Sequence, residues 1–255
     1  MSTKPPFAKQ ENGRRDAEAQ RLEKIRALNP FDPKSIDVLC QGLSDESWRV
    51  RKQAVARAKD WPRPAPLIDA LIEQVEQTAD PVTRNSTLEA LVAGGQHSVA
   101  PLCRAVARNS TARKTFIDCL GLIGAHSAVD VLIEHLHDDD ENVRMAGAEA
   151  LGKIGGAKGA AALIEAIEQP GLLVPVAALD SLWKIGRAVP VAPLMAVVEK
   201  KGLRRPAVRL LGLTGRVEVF DTNDGLQSME FNQRAAFRGP AGEMYFGGIN
   251  GFNVF

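Results

Sequence analysis

The chain has 255 residues, of which 45% are hydrophobic, 25% charged and only 5% aromatic. This is the composition of an ordinary soluble globular protein, long enough for one or two domains. Its 32 basic and 31 acidic residues leave a formal charge of +1, so no overall field draws the protein to nucleic acid or anionic lipid.

The opening stretch "MSTKPPFAKQENGRRDAEAQ" has no apolar run that could form a signal-peptide core. No later segment approaches the roughly 18 uninterrupted apolar residues of a membrane span. A cytoplasmic protein that contacts neither membrane nor nucleic acid is the expectation. Residues 1–15 are polar and proline-containing and are expected to be disordered. Residues 16–33 read as a capping helix and turn: "DAEAQRLEKIRAL" places Leu22, Ile25 and Leu28 on one face, and "NPFDP" ends it with two prolines.

From residue 34 to 216 the chain repeats. Arginines recur at Arg51, Arg84, Arg113, Arg144 and Arg204, with Pro175 in the one gap, at steps of 33, 29, 31, 31 and 29 residues. Such a period predicts a stacked repeat architecture. Gly124, Gly155, Gly186 and Gly215 keep the same time, at positions where a residue past a helix end takes positive φ. About a dozen residues before each arginine position lies another apolar helix: "SIDVLCQGL", "APLIDALIEQV", "VAPLCRAVA", "AVDVLIEHL", "AAALIEAI" and "VAPLMAVV". Three of these carry proline in the expected first turn, at Pro66, Pro101 and Pro193, where a missing N–H costs nothing.

Each unit is therefore an antiparallel helix pair. In "VRMAGAEALGKIGG", the positions Val143, Ala146, Gly147, Ala150, Leu151 and Ile154 share one helix face, and half of them are Ala or Gly. That face is too shallow to make a core alone, so the core is built between units. The fold class expected is all-α: a right-handed α-solenoid of about six helix pairs with a short β-containing C-terminal tail.

"AVDVLIEHLHDDDENVRMAGAEALGKIGGA", Ala128 to Ala157, resembles the HEAT-like repeats in the short bacterial form first associated with phycobilin lyases. It has Asp140 in the turn, Val143 and Arg144 opening the second helix, and a closing Ala150, Leu151, Gly152. The resemblance covers about Lys34 to Arg216. It is weakest in the fifth unit, "PGLLVPVAALDSLWKIG", where proline replaces arginine. It implies that the turn aspartate and the helix arginine bond from unit to unit, so the arginine series is either structural or a partner contact.

Residues 217–255 leave the helical period. The tail holds six of the nine phenylalanines and the single tyrosine, and alternation in "RVEVF" and "EMYF" with intervening turn signals predicts short strands. "DGLQSMEFN", Asp224 to Asn232, and "GEMYFGGINGFNVF", Gly242 to Phe255, resemble one blade of the propeller in the sensor region of two-component regulators. One blade cannot form a propeller, so a truncated module is expected, with a hairpin on the last repeat as the rival.

The residues that carry chemistry are few. Cys40, Cys103 and Cys119 form no CxxC pair and read as reduced core cysteines. None of the four histidines precedes a glutamate, unlike the paired His and Glu of the deoxyhypusine hydroxylases built from this repeat. His135 and His137, two apart on a helix, are poor metal geometry. "GKIGGAKGA", Gly152 to Ala160, matches no phosphate-loop spacing and reads as a helix-ending turn. No catalytic, metal or cofactor-binding residue is expected.

Five residues after the arginine position, four units carry an acid: Glu89, Asp118, Glu149 and Asp180. Either they form a solvated face paired locally, or they are a docking strip for a basic partner. The function expected is a non-catalytic protein–protein scaffold or adaptor. The alternatives are a phycobilin-lyase-like enzyme or enzyme subunit, and an accessory of two-component signalling.

Overall fold

A computed structural model describes residues 6–62, 64–108, 111–186, 189–214, 231–238, 244–248 and 251–254, with side chains for 13–62, 65–108, 111–186 and 189–213. The chain divides into two compact units, Met1–Ala128 and Val129–Phe255.

The first unit holds seven α-helices: α1 Pro6–Arg26, α2 Lys34–Leu43, α3 Trp48–Lys59, α4 Pro64–Gln77, α5 Pro81–Ala93, α6 Gln96–Ala107 and α7 Arg113–Ile123. Consecutive helices pair as α2 with α3, α4 with α5, and α6 with α7. Like packs on like between pairs, so α2, α4 and α6 form one layer while α1, α3, α5 and α7 form the other. The apolar faces of the two layers meet in a core that includes Leu39, Leu43, Leu71, Leu91, Leu102 and Phe116, all essentially inaccessible to water. Burying each such side chain contributes about 1.5–3 kcal/mol, so these contacts between layers dominate the stability of the unit.

Helix α1 begins at Pro6, whereas residues 1–15 were expected to be disordered and the capping helix to start at residue 16. Proline suits a first helical position, and the Lys, Gln, Glu, Arg and Ala that follow are good helix formers, so propensity carries the helix forward. Residues 1–5 lie outside the described residues. The helix does cap the first pair. Arg21 Nε lies 2.8 Å from Asp45 Oδ2, and Ser47 Oγ donates to Glu18 Oε1 at 2.5 Å. Ile25 is buried against Gly42, where a built Cβ would come within 2.5 Å of Ile25 Cδ1.

The second unit repeats the plan with α8 Val129–Glu134 and the 3-10 turn His135–His137, α9 Glu141–Ile154, α10 Ala157–Ala166, α11 Leu173–Ile185, α12 Val191–Val198 and α13 Arg204–Thr214. Pairs form between α8 and α9, α10 and α11, and α12 and α13, and α9, α11 and α13 pack in succession. The shallow face of α9 is explained here. A Cβ on Gly152 would lie 2.9 Å from Ser181 Cα on α11 and closer still to that residue's side chain, and one on Gly147 would meet the Leu132 carbonyl at 3.4 Å. Small residues allow this close approach, and Val143, Ala146, Ala150, Leu151 and Ile154 are buried with them.

Gly124 and Gly186 end α7 and α11 in the left-handed region, at φ 72° and 69°, as their register predicts. Gly215 lies outside the described residues. Pro66 and Pro193 fall in the first turns of α4 and α12, but Pro101 sits inside α6, which starts at Gln96. The Gly94–Gly95 turn lets α6 begin early, and the Ser98 hydroxyl anchors that start on the Leu91 carbonyl at 2.6 Å.

Of the tail at 217–255, three stretches are described: β1 Phe231–Arg238, β2 Met244–Gly248 and β3 Gly251–Val254, hydrogen-bonded in that order as antiparallel neighbours. The blade-like opening "DGLQSMEFN" lies mostly outside the described residues.

Candidate functional site

The repeated arginines occupy one structural slot. Arg51, Arg84 and Arg144 each send a guanidinium back to the carbonyl six residues earlier, on Asp45, Thr78 and Asp138, at 2.6, 2.7 and 2.7 Å. Arg204 reaches the Val198 carbonyl through Nε at 3.3 Å. Each ties the turn that joins the two helices of its own pair. Carbonyls past a helix end have no intrahelical partner, and a cation near a helix C-terminus is favourable. Arg113 opens α7 at the corresponding position. For Arg51, Arg84, Arg144 and Arg204 these bonds stay within a pair, whereas the resemblance implies arginine to aspartate from unit to unit. The Asp80 carboxyl is held below its usual range first by the Thr83 hydroxyl and N–H, with the Arg51 charge of the preceding pair a smaller contribution.

The turn aspartates cap helices. Asp80 accepts from the Thr83 hydroxyl at 2.6 Å and the Thr83 N–H at 2.8 Å, and Asp140 accepts from the Asn142 N–H at 2.8 Å. Both are N-cap geometry. Pro175, in the gap of the series, is buried in the first turn of α11. In that pair Gln169, six residues earlier, donates to the Leu136 carbonyl of the preceding pair at 2.9 Å.

The four acids sit on the second helix of successive pairs, two in each unit, and their surroundings differ. Glu89 on α5 is exposed. Asp118 on α7 is half-buried and accepts from Lys114 Nζ at 2.9 Å. Glu149 on α9 is half-buried, with no hydrogen-bond or ion-pair partner among the described residues. Asp180 on α11 approaches Arg209 Nη2 on α13 at 3.7 Å. Asp118 and Asp180 are thus paired locally.

Glu149 and Asp180 line a shared groove. Met145 and Glu149 come from α9; Val176, Ala177, Asp180 and Lys184 from α11; and Leu172 and Leu173 from the turn before and the start of α11. The groove holds about 190 Å³. Leu172 and Leu173 are 49% and 46% exposed despite being large and apolar. Arg209 lies 4.2 Å over the Trp183 ring, a cation–π contact that fixes the guanidinium beside Asp180.

Glu149 and Asp180 follow the repeat register, whereas the apolar half of the groove follows none. A signal was present. Where the fourth unit has the polar turn "DDDEN", the fifth has "PGLLV", and apolar residues in a connecting turn need a covering.

The other candidates take structural places. Burial pushes the Cys40 thiol up to about 11 and the Cys119 thiol up to about 12, with the nearby Asp37 and Asp118 charges adding to each, and raises Cys103 as well. Such thiols hold little reactive thiolate near neutrality. His135 Nδ1 is 2.8 Å from the Val131 carbonyl one turn back. Among the described residues no group of three His, Cys, Asp or Glu side chains is placed to hold a metal, and no helix is long and apolar enough to cross a membrane. "GKIGGAKGA" links α9 to α10, and its Lys158 pairs with Asp130.

Residues 99–183 match the family model described as HEAT repeats. A comparison with curated protein sequences finds no match. Among solved structures, an engineered protein is similar at 15% identity over 76% of this chain and 96% of its own, with a TM-score of 0.46. Human deoxyhypusine hydroxylase in complex with glycerol is similar at 15% identity over 78% of this chain and 98% of its own, with a TM-score of 0.40. The complex of CpcE and CpcF of phycocyanin lyase from Nostoc sp. PCC7120 is similar at 20% identity over 71% of this chain and 75% of its own, with a TM-score of 0.36.

Proposed function

We propose that this chain is a non-catalytic scaffold or adaptor that binds another protein on the exposed faces of its second-layer helices. The observation that carries this reading is the α9–α11 groove, where an unpaired carboxylate, Glu149, stands beside the exposed Leu172 and Leu173. Large apolar side chains left in water next to unpaired charge mark an interaction surface more than a stability feature. The HEAT-repeat match at 99–183 supports the same reading, because stacked repeats expose extended surfaces with neighbour-only packing. In this reading each unit is a stretch of right-handed solenoid, the acids Glu89, Asp118, Glu149 and Asp180 attract a partner with a basic surface, and the protein works in the cytoplasm.

The test compares the wild-type chain with a variant carrying lysine at those four acids, each presented to soluble extract from the native host. Asp118, Glu149 and Asp180 are only part-exposed, so circular dichroism and urea unfolding first establish that the variant is folded. Proteins retained by the wild type and lost by the variant support the reading. Absence of any stoichiometric partner on the wild type overturns it. The lyase alternative has a separate readout: transfer of a bilin to an acceptor protein, followed by visible absorbance.

A further inference from the structure

The groove between α9 and α11 is too small for the ligands that usually occupy enclosed sites. Pockets for cofactor-sized or drug-sized molecules measure about 300–1,000 Å³, whereas this one holds about 190 Å³. That is room for a side chain of another macromolecule. Its apolar lining, Met145, Leu172, Leu173 and Val176, calls for an apolar side chain, and the Met145 thioether can adapt to its shape.

The rim carries the charge information. Glu149 stands on α9 and Asp180 on α11, with Lys184 one turn beyond Asp180. The lining sets two carboxylates against one ammonium, and Arg209 offsets Asp180 from beside the groove, so Glu149 is the carboxylate of the lining without an ion pair and favours a cation over a phosphate or an acidic side chain. Glu149 and Asp180 stand on neighbouring packed helices, whose axes lie about 8–10 Å apart, so a partner segment that reaches both must bridge from one helix to the next. On an α-helix, residues seven apart are separated by about 10.5 Å and lie on the same face, as does the residue four after the first.

Resting on the scaffold reading, we infer that the groove receives one apolar side chain of a partner helix whose Arg or Lys residues, seven positions apart, flank it and meet Glu149 and Asp180. The cation arriving at Asp180 competes with Arg209, which reaches that carboxylate only at 3.7 Å in an exposed pair and keeps its place over Trp183 without it.

The probe is a labelled alanine-based helical peptide carrying two arginines seven apart with leucine four after the first, titrated onto the full chain at low salt and followed by fluorescence anisotropy. Saturable binding is expected, weakened about tenfold or more when both Glu149→Lys and Asp180→Lys are present, since each attraction becomes a repulsion. Leu173→Gln gives a second, uncharged disruption, expected to weaken binding severalfold. Arg209→Leu removes the competitor and is expected to tighten binding about twofold to threefold. Circular dichroism confirms that each variant is folded.

Absence of saturable binding, equal binding of the peptide with glutamates in place of the arginines, or indifference to all three groove changes overturns the inference. A host protein that binds wild type and the Glu149→Lys, Asp180→Lys variant equally well also overturns it while leaving the scaffold reading intact. Failure of the scaffold reading shows differently, as absence of any partner on the wild type.

Discussion

Helices α5 and α9 hold the same place in their pairs, each packed against its own first-layer helix and against the next second-layer helix, and they meet the demand with opposite chemistry. On α5 the buried small residues are largely hydroxyl-bearing: Thr83, Ser86 and Thr87. Thr87 Oγ1 lies 2.8 Å from the Thr83 carbonyl and 3.1 Å from Gln74 Oε1, and Ser86 Oγ donates to the Val82 carbonyl at 3.1 Å. On α9 the same kind of face is built from Ala146, Gly147, Ala148, Ala150 and Gly152. The slot therefore selects for small volume, and on α5 each hydroxyl finds an acceptor, whereas Ser181 in the same slot of α11 is buried with its hydroxyl unpartnered.

That comparison breaks most sharply at Gly152. Gly152→Ala places a Cβ 2.9 Å from Ser181 Cα, backbone that cannot swing aside, and is expected to destabilise the protein by about 2–3 kcal/mol. Urea unfolding measures this, and a Ser181→Gly change in the same chain should recover part of the loss through a coupling energy. Full additivity would show that the helices separate freely at this point.

At α5 the corresponding test is Thr87→Val, which keeps shape and deletes the hydroxyl. The side chain is fully buried, and Gln74 Oε1 loses a donor, so about 1 kcal/mol is expected to be lost. An unchanged urea midpoint would mean that volume alone matters on α5 as well.

Arg144→Met removes the bonds to the Asp138 and Asp139 carbonyls, at 2.7 and 3.2 Å, while keeping an apolar stem. Because the site is half-exposed, the expected loss is somewhat under about 1 kcal/mol. Hydrogen exchange should quicken at the turn before α9 and leave α5 unaffected.

The smallest effect is expected at Asp80, whose pKa is held low first by the Thr83 hydroxyl, then by the Thr83 and Val82 N–H groups and the Arg51 charge. A carboxylate depressed in the folded state contributes stability above its unfolded pKa, near 3.9, and loses it as pH falls through the lower folded value. The difference in thermal midpoint between wild type and Asp80→Asn should be full at neutral pH and shrink under acid. A difference that persists unchanged at low pH would show that charge plays no part in the cap.

The local rules of the chain were readable without a structure. The period of the arginines marks the start of the second helix because Arg51, Arg84, Arg144 and Arg204 tie the same turn, and Gly124 and Gly186 mark helix ends because they close them in the left-handed region. The two groove carboxylates were legible for the same reason: a register repeats. Departures from the register were harder to read. Pro101 was misplaced because the Gly94–Gly95 turn, and not the apolar period, decides where α6 begins.

What the sequence by itself determined is the periodic part: all-helical pairs, their number, their small faces and the positions that cap them. These follow from backbone sterics and helix period, which act over a few residues. Only the tertiary structure decided that Gly152 meets Ser181, that Leu172 and Leu173 stand exposed beside Met145, and that Asp180 leans on Arg209 while Glu149 stays unpaired. Those relations join side chains about 30 residues apart across packed helices, where separations of a few tenths of an ångström set the outcome and no local pattern records them.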